Sequence, residues 1–187
     1  GVTTLTVAGG EPLMRQETPE LIHFAYDSEL EVYLSTNGTF LKKRYDQVKD
    51  YISVLGLLLD GSTSDMNALM GRREYLQENI MRILSYFEQT PPSHDVKIGT
   101  VVSRINISDI EAIGELLYRS PELYHPDTWR LYQFEPLKEG ERNRELYEIS
   151  DQKFDEVVAN LRRKFPEAKI NARSNDDHLN AYFFVTP

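Results

Sequence analysis

Short β-rich runs alternate with amphipathic stretches along the chain, and each run closes on a polar, turn-forming cluster. Residues 4–8 (Thr-Leu-Thr-Val-Ala) end in Gly9-Gly10-Glu11-Pro12, and 31–35 end in Thr36-Asn37-Gly38. The near-continuous apolar run 51–59 ends in Asp60-Gly61-Ser62, and its Val/Ile/Leu content predicts a strand buried on both faces. Residues 96–103 lead into Arg104-Ile105-Asn106, and 128–134 into Glu135-Pro136. Helical patterns fill the intervals over 18–27, 41–49, 64–89, 108–118 and 150–164, with 168–172 and 181–185 as short terminal strands. Thr18 before Pro19, Ser64, the Ser108-x-x-Glu111 box and Ser150 read as helix starts. Repeated strand–helix alternation means a parallel sheet joined by right-handed crossovers. Five units are strong, each near the length of a barrel unit. The predicted class is α/β, a partial (β/α)6 TIM-like barrel with a parallel sheet, truncated at its N-terminus. One domain is expected over 1–187, with barrel units in 1–137 and an extension of one helix and short strands in 138–187.

The net charge of −9 over 187 residues argues against nucleic acid or an anionic membrane as main partner. No apolar run approaches the roughly 20 residues of a membrane helix, and no signal-peptide pattern stands at the start; a cytoplasmic location is expected. The chain has no cysteine, which excludes disulfides and thiolate-held zinc or iron–sulfur sites within it. His23, His94, His125 and His178 show no metal-ligand spacing, so no metal ligand is assigned.

In a parallel α/β sheet the ligand sits at the carboxyl ends of the strands. Gly9 and Gly10 allow close approach of backbone to a ligand. Glu11 supplies an acceptor suited to an ammonium, and Pro12 stiffens the turn. Ser35 and Asn37 can bond a ribose or carboxylate, Asp60 closes the third strand, and Arg72 can pair bidentately with a carboxylate. Together these groups suit a zwitterionic amino acid joined to a nucleoside. Singly, each is also an ordinary turn or a solvated surface residue; their order and spacing carry the assignment. No catalytic residue is assigned.

The succession Gly9-Gly10-Glu11-Pro12, Ser35-Thr36-Asn37-Gly38, Leu59-Asp60-Gly61-Ser62 and Thr100-Val101-Val102-x-x-x-Asn106 resembles the radical S-adenosylmethionine (radical SAM) superfamily over residues 4–137. The resemblance implies a partial barrel and a [4Fe–4S] cluster, hence a metal-binding oxidoreductase type of chemistry. It implies reductive cleavage of S-adenosylmethionine to a 5′-deoxyadenosyl radical that abstracts hydrogen from a substrate. The backbone of Gly9, Gly10 and Glu11 would receive the methionine amino group, with Ser35 and Asn37 near the ribose and carboxylate. A reductant protein such as a flavodoxin or ferredoxin, and a small-molecule, nucleotide or peptide substrate, are the implied partners. Two departures stand out. The superfamily's C-x3-C-x2-C motif follows a strand preceding the one that opens this chain, so the chain alone is expected to be inactive. Leu58 stands where the superfamily often carries Ser. A cluster-free barrel serving as a ligand-binding or scaffold module is the alternative. An aldolase-like barrel would need a rim lysine, and only Lys97, early in its strand, is available.

Several segments resemble the viperin-like group within that superfamily, which dehydrates a cytidine triphosphate: residues 66–72, Trp129-Arg130-Leu131-Tyr132-Gln133, Glu139-Gly140-Glu141, Ile149-Ser150-Asp151, and Ser174-Asn175 with Tyr182. This resemblance makes Arg72 the arginine for the S-adenosylmethionine carboxylate and Lys97, Arg130 and Tyr182 substrate residues. Thr4, Gly99 and Thr128 depart from it, standing where that group has Lys, Asn and Arg.

Overall fold

The computed structural model describes residues 1–136 and 142–175. Six strands, β1 (Thr4–Val7), β2 (Glu31–Ser35), β3 (Val54–Leu58), β4 (Asp95–Val102), β5 (Thr128–Gln133) and β6 (Ile170–Arg173), form one sheet in sequential order. All five pairings are parallel. Sequential order with right-handed crossovers steps the chain in one direction, so the connecting helices collect on one face of the sheet. This is the open α/β barrel wall expected from the alternation.

The helices are α1 (Thr18–Asp27), α2 (Leu41–Val48), α3 (Ser64–Leu69), α4 (Tyr75–Gln89), α5 (Ile110–Arg119), α6 (Arg144–Tyr147) and α7 (Asp151–Lys164). Alternate strand residues Val32, Leu34, Leu55, Leu57, Val96, Ile98, Trp129 and Leu131 are buried and join Ile22, Ile80, Leu84, Ile113, Leu117, Phe154 and Leu161 in one apolar core. Their neighbours in the strands, including Thr6, Tyr33, Ser35, Lys97, Val101, Arg130, Tyr132 and Arg173, are exposed or half-buried. These line the opposite, concave face. The period-2 alternation thus separates an apolar helix side from a polar inner wall.

Several local expectations are corrected. The single helix over 64–89 is two, α3 and α4, separated around Gly71 at φ 79°. A left-handed residue cannot continue a right-handed helix. The strand over 51–59 is shorter, Val54–Leu58. The Ser64 start is capped instead by Thr63, whose side chain accepts from Met66 N–H. The Ser108 box does not form; Asp109 precedes α5 and makes no side-chain cap, because its carboxylate accepts from the Ser62 N–H and hydroxyl. Thr18 donates to the Pro12 carbonyl at 2.6 Å, tying α1 to the first rim loop rather than capping its own helix. Ser150 caps α7 as expected. The strand at 168–172 is Ile170–Arg173 and pairs with β5; 181–185 lies outside the described residues.

A buried hydroxyl links three strands inside the core. The Trp129 indole N–H donates to Thr100 Oγ1 at 2.9 Å, and that hydroxyl donates to the Leu59 carbonyl at 2.7 Å. Thr100→Val keeps the shape and removes both bonds, leaving a buried indole N–H unpaired. The expected cost is about 1–3 kcal/mol, measured by urea unfolding.

His94 contributes a pH-dependent term. It is buried and shares a 2.9 Å hydrogen bond with the Tyr45 hydroxyl. Burial holds its imidazole below the usual range, with the carboxylates of Asp127 and Asp95 working the other way. The unfolded state therefore binds the proton more readily than the folded one. The stability from neutral His94 is present above about pH 6.5 and is lost as pH falls through the lowered folded value. Wild type is expected to lose more unfolding free energy between about pH 7.5 and pH 5 than His94→Gln does. Equal losses would exclude His94 as the source.

Candidate functional site at the carboxyl rim

Two carboxylates organise the rim. Glu11, directly after the β1 turn, accepts from Leu13 N–H at 3.0 Å and from the Thr36 hydroxyl at 2.7 Å through one oxygen. Through the other it accepts from Asn37 N–H at 2.8 Å. The Glu11 side chain thus staples the loop after β1 to the loop after β2. The Thr36 hydroxyl accepts from Gly38 N–H, and Asn37 Oδ1 accepts from Thr39 N–H, completing the second turn. With the carboxylate engaged this way, the surface left to a ligand is backbone. Gly9 (φ 96°) and Gly10 (φ 49°) hold left-handed conformations that suit glycine, and a Cβ on either would meet no atom within 4 Å. Their backbone faces open space. Pro12 opens a 3-10 turn over Pro12–Met14 and is buried. Ser35 ends β2 on the concave face, level with Gly56.

Asp60 organises the second half. It is 1% exposed. One carboxylate oxygen accepts from Val101 N–H at 2.7 Å and the other from Arg72 Nε at 2.6 Å. Its own N–H donates to Asn67 Oδ1, and its carbonyl accepts from Asn106 Nδ2, which also donates to the Val101 carbonyl. A buried carboxylate requires such partners. The arginine is held by Nε alone, and its side chain is 34% exposed. Its two terminal nitrogens have no hydrogen-bond partner among the described residues and form a fork open to a carboxylate.

Glu11 and Asn37 are therefore directly bonded at the ends of β1 and β2, while Asp60 and Arg72 are bonded at the ends of β3 and β4. Both groups lie on one rim of one sheet. Lys97 and Arg130 stand lower, within β4 and β5 on the concave wall. Lys97 Nζ lies 4.6 Å from the Tyr33 ring centroid, and burial followed by the charge of Arg130 lowers its pKa. Tyr182 lies outside the described residues, as do Glu139, Gly140 and Glu141. Sequence reasoning missed Thr36 and Asp109, whose partners lie 25 and 47 positions away, Asn67, seven positions from Asp60, and Arg173 on β6.

Among the described residues no group of His, Asp or Glu side chains could hold a metal ion, and no helix is long and apolar enough to cross a membrane. A cavity of about 470 Å³ opens between α5 and α7, lined by Ile107, Glu111, Glu115, Val157 and Leu161. It belongs to the helical layer and includes none of the rim residues.

Glu11→Ala removes the acceptor of three hydrogen bonds at once. The expected loss is about 1–3 kcal/mol of stability, read by chemical unfolding, with Glu11→Gln losing less. No loss in Glu11→Ala would show that the two loops are held together by other contacts.

Comparison with known proteins gives the family and bears out the fold. The sequence profile of the Radical SAM superfamily matches residues 1–117. An S-adenosylmethionine-dependent nucleotide dehydratase of Flammeovirga pacifica is 27% identical, over all of this chain and 63% of that protein. A GTP 3',8-cyclase of Helicobacter pylori is 28% identical, over 85% of this chain and 50% of its own length. The chain thus spans between half and two thirds of these relatives. Among solved structures, a domain of pyruvate-formate lyase-activating enzyme from Bacteroides vulgatus superposes with a TM-score of 0.68 at 17% identity, covering 91% of this chain and 99% of that one. Streptococcus suis SuiB bound to S-adenosylmethionine superposes with a TM-score of 0.70 at 15% identity, covering 97% of this chain and 42% of SuiB. The superfamily uses S-adenosylmethionine and a [4Fe–4S] cluster; the rim suits the former, whereas none of these 187 residues is a cysteine that could ligate the latter. With the profile match running from the first strand into α5, the chain belongs to the radical SAM superfamily.

Proposed function

We propose that the whole protein is a radical SAM enzyme whose rim receives S-adenosylmethionine and whose concave wall receives a nucleotide substrate. The observation that carries the first half is the Arg72 fork, anchored through Nε by buried Asp60, with neither terminal nitrogen bonded among the described residues. It stands on the same rim as the open backbone of Gly9 and Gly10. In this reading the Gly9–Glu11 backbone takes the amino group, Arg72 the carboxylate, and Ser35 and Asn37 the ribose hydroxyls. Asp60 is a positioning residue: it touches Arg72, not the ligand. S-adenosylmethionine held by these residues would, on taking up one electron delivered through the superfamily's cluster from a reduced partner such as a flavodoxin or ferredoxin, break its sulfonium carbon–sulfur bond to release methionine and supply a 5′-deoxyadenosyl radical able to abstract a substrate hydrogen. The nucleotide assignment draws on the names of two relatives, a nucleotide dehydratase and a GTP cyclase, and on the cations Lys97 and Arg130 on the wall. Tyr182 is proposed as a further substrate residue from the viperin-like resemblance.

The test uses the full-length protein, reconstituted anaerobically with iron and sulfide. On reduction it is expected to convert S-adenosylmethionine to 5′-deoxyadenosine. Arg72→Ala is expected to weaken S-adenosylmethionine binding by about 1–3 kcal/mol in calorimetry, as for loss of a charge-assisted bond. Asp60→Asn retains an acceptor for Val101 N–H but faces Arg72 Nε with a donor. It should weaken binding too, and the double variant should lose little more than Arg72→Ala alone. Absence of both binding and 5′-deoxyadenosine would favour the cluster-free scaffold instead.

A further inference from the structure

Two glycines interrupt the inner face of the central strands, Gly56 within β3 and Gly99 within β4. Glycine weakens a strand interior, and its presence there marks the close approach of another group. Here the approaching groups are side chains of the wall itself. A Cβ on Gly56 would lie 2.8 Å from Tyr33 Cζ and closer still to the Tyr33 hydroxyl oxygen. A Cβ on Gly99 would lie 2.9 Å from Leu58 Cδ2 and 3.2 Å from Tyr132 Cε2. Tyr33 starts one level below the recess that it fills. It pairs with Val54, which pairs with Asp95, two residues before Lys97. Its ring leans one strand across and one level toward the rim, into the space that residue 56 leaves empty.

Lys97 stands beside both recesses. It is level with Gly56 across the β3–β4 pairing, and Gly99 is the next inward position on its own strand. Its Nζ lies 4.6 Å from the Tyr33 ring centroid, within the range of cation–π attraction. Burial and the charge of Arg130 act against the ammonium, with Asp95 acting for it. A lysine on a flexible four-carbon stem in such a place needs a partner to fix it. A carboxylate would fix it and cancel its charge. An aromatic face attracts the ammonium electrostatically and takes up none of its three hydrogen-bond donors.

We infer that Tyr33 is a positioning residue whose ring, seated in the Gly56 recess, fixes the Lys97 ammonium at one place on the inner wall and leaves its charge and donors to the substrate. The inference rests on the proposed role of Lys97 toward a substrate and adds to it how that cation is held. Tyr33 acts through Lys97 and is assigned no contact with the substrate.

The experiment uses the full-length protein carrying carbon-13-labelled lysine. The ε-methylene resonance of Lys97, assigned by its loss in Lys97→Arg, is expected upfield of the other lysines, because an aromatic ring shields protons above its face. Tyr33→Phe should keep that shift. Tyr33→Leu, which is apolar but has no π face, should abolish it. Gly56→Ala should abolish it as well, with the tyrosine still present. Calorimetry with ATP, GTP, CTP and UTP as separate probes reads the consequence. Tyr33→Leu should weaken the nucleotide that wild type binds by about three- to tenfold, and Tyr33→Phe should not. In a Lys97→Met background Tyr33→Leu should have no further effect. S-adenosylmethionine affinity should be unchanged in Tyr33→Leu. A Lys97 resonance that is not shifted in wild type, or whose shift persists in Tyr33→Leu, overturns the inference. A parallel fall in S-adenosylmethionine affinity also overturns it, since Tyr33 would then support the wall as a whole. If Gly56→Ala does not fold, Tyr33→Phe against Tyr33→Leu carries the test. The expected shifts in a protein that binds none of the four nucleotides would leave the seating of Lys97 standing and reject the nucleotide reading.

Discussion

The carboxylate of Asp60 sits almost wholly out of solvent at the end of β3, and much of the rim is arranged around satisfying it. A charge in that position is tolerated only with strong donors at hand. Val101 N–H supplies one and Arg72 Nε the other. The arginine reaches inward because α3 stops after Leu69 and the chain turns at Gly71 before α4 begins. Asn67 and Asn106 then fix the Asp60 backbone from two directions. The seated guanidinium and the fixing of the β3 end against β4 answer one buried charge, and the helix break at Gly71 is what lets Arg72 reach it.

Glu11 plays the matching part across β1 and β2, but it is spent on local donors rather than on a cation. The two acids at the rim are therefore internal fasteners. What they leave facing outward is open backbone at Gly9 and Gly10 and, at Arg72, two guanidinium nitrogens with no partner among the described residues. The wall beneath continues the polar theme with positive charge. Stepping every crossover in one direction puts all helices, and the acid–base pairs on them, on the outside. Lys97, Arg130 and Arg173, on β4, β5 and β6, are left to face inward with no ion pair among the described residues. An acidic protein thus encloses a basic wall, which its net charge conceals.

Much of the fold was legible because strand–helix alternation and its periods of two and 3.6 are local properties of sequence. The β2 bounds and the Ser150 cap are visible within a few residues, and the glycine pairs and Asn-Gly turns mark the rim directly. Errors arose where the deciding partner was remote. The pattern over 64–89 is helical throughout, and nothing local announces that Arg72 will be drawn to Asp60. The Ser108-x-x-Glu111 pattern gives no sign that the carboxylate of Asp109 serves Ser62, 47 positions away in the chain. The attachment of Glu11 to Thr36 and Asn37 spans 25 and 26 positions and leaves no mark in the local sequence.

By itself the sequence determined the class: alternating units that must pair in parallel, turn residues at every strand end, and an order of motifs that belongs to the radical SAM superfamily. The first two follow from short-range sterics, periodicity and residue chemistry; the third is a resemblance, which the family match bears out. Only the tertiary structure decided which rim groups face outward and which are consumed in holding it together. It alone brought Lys97, Arg130 and Arg173 onto one inner wall. The reason is that strand register and the direction of each crossover are set by packing across the whole sheet, and two cations 43 residues apart become neighbours only once that register exists.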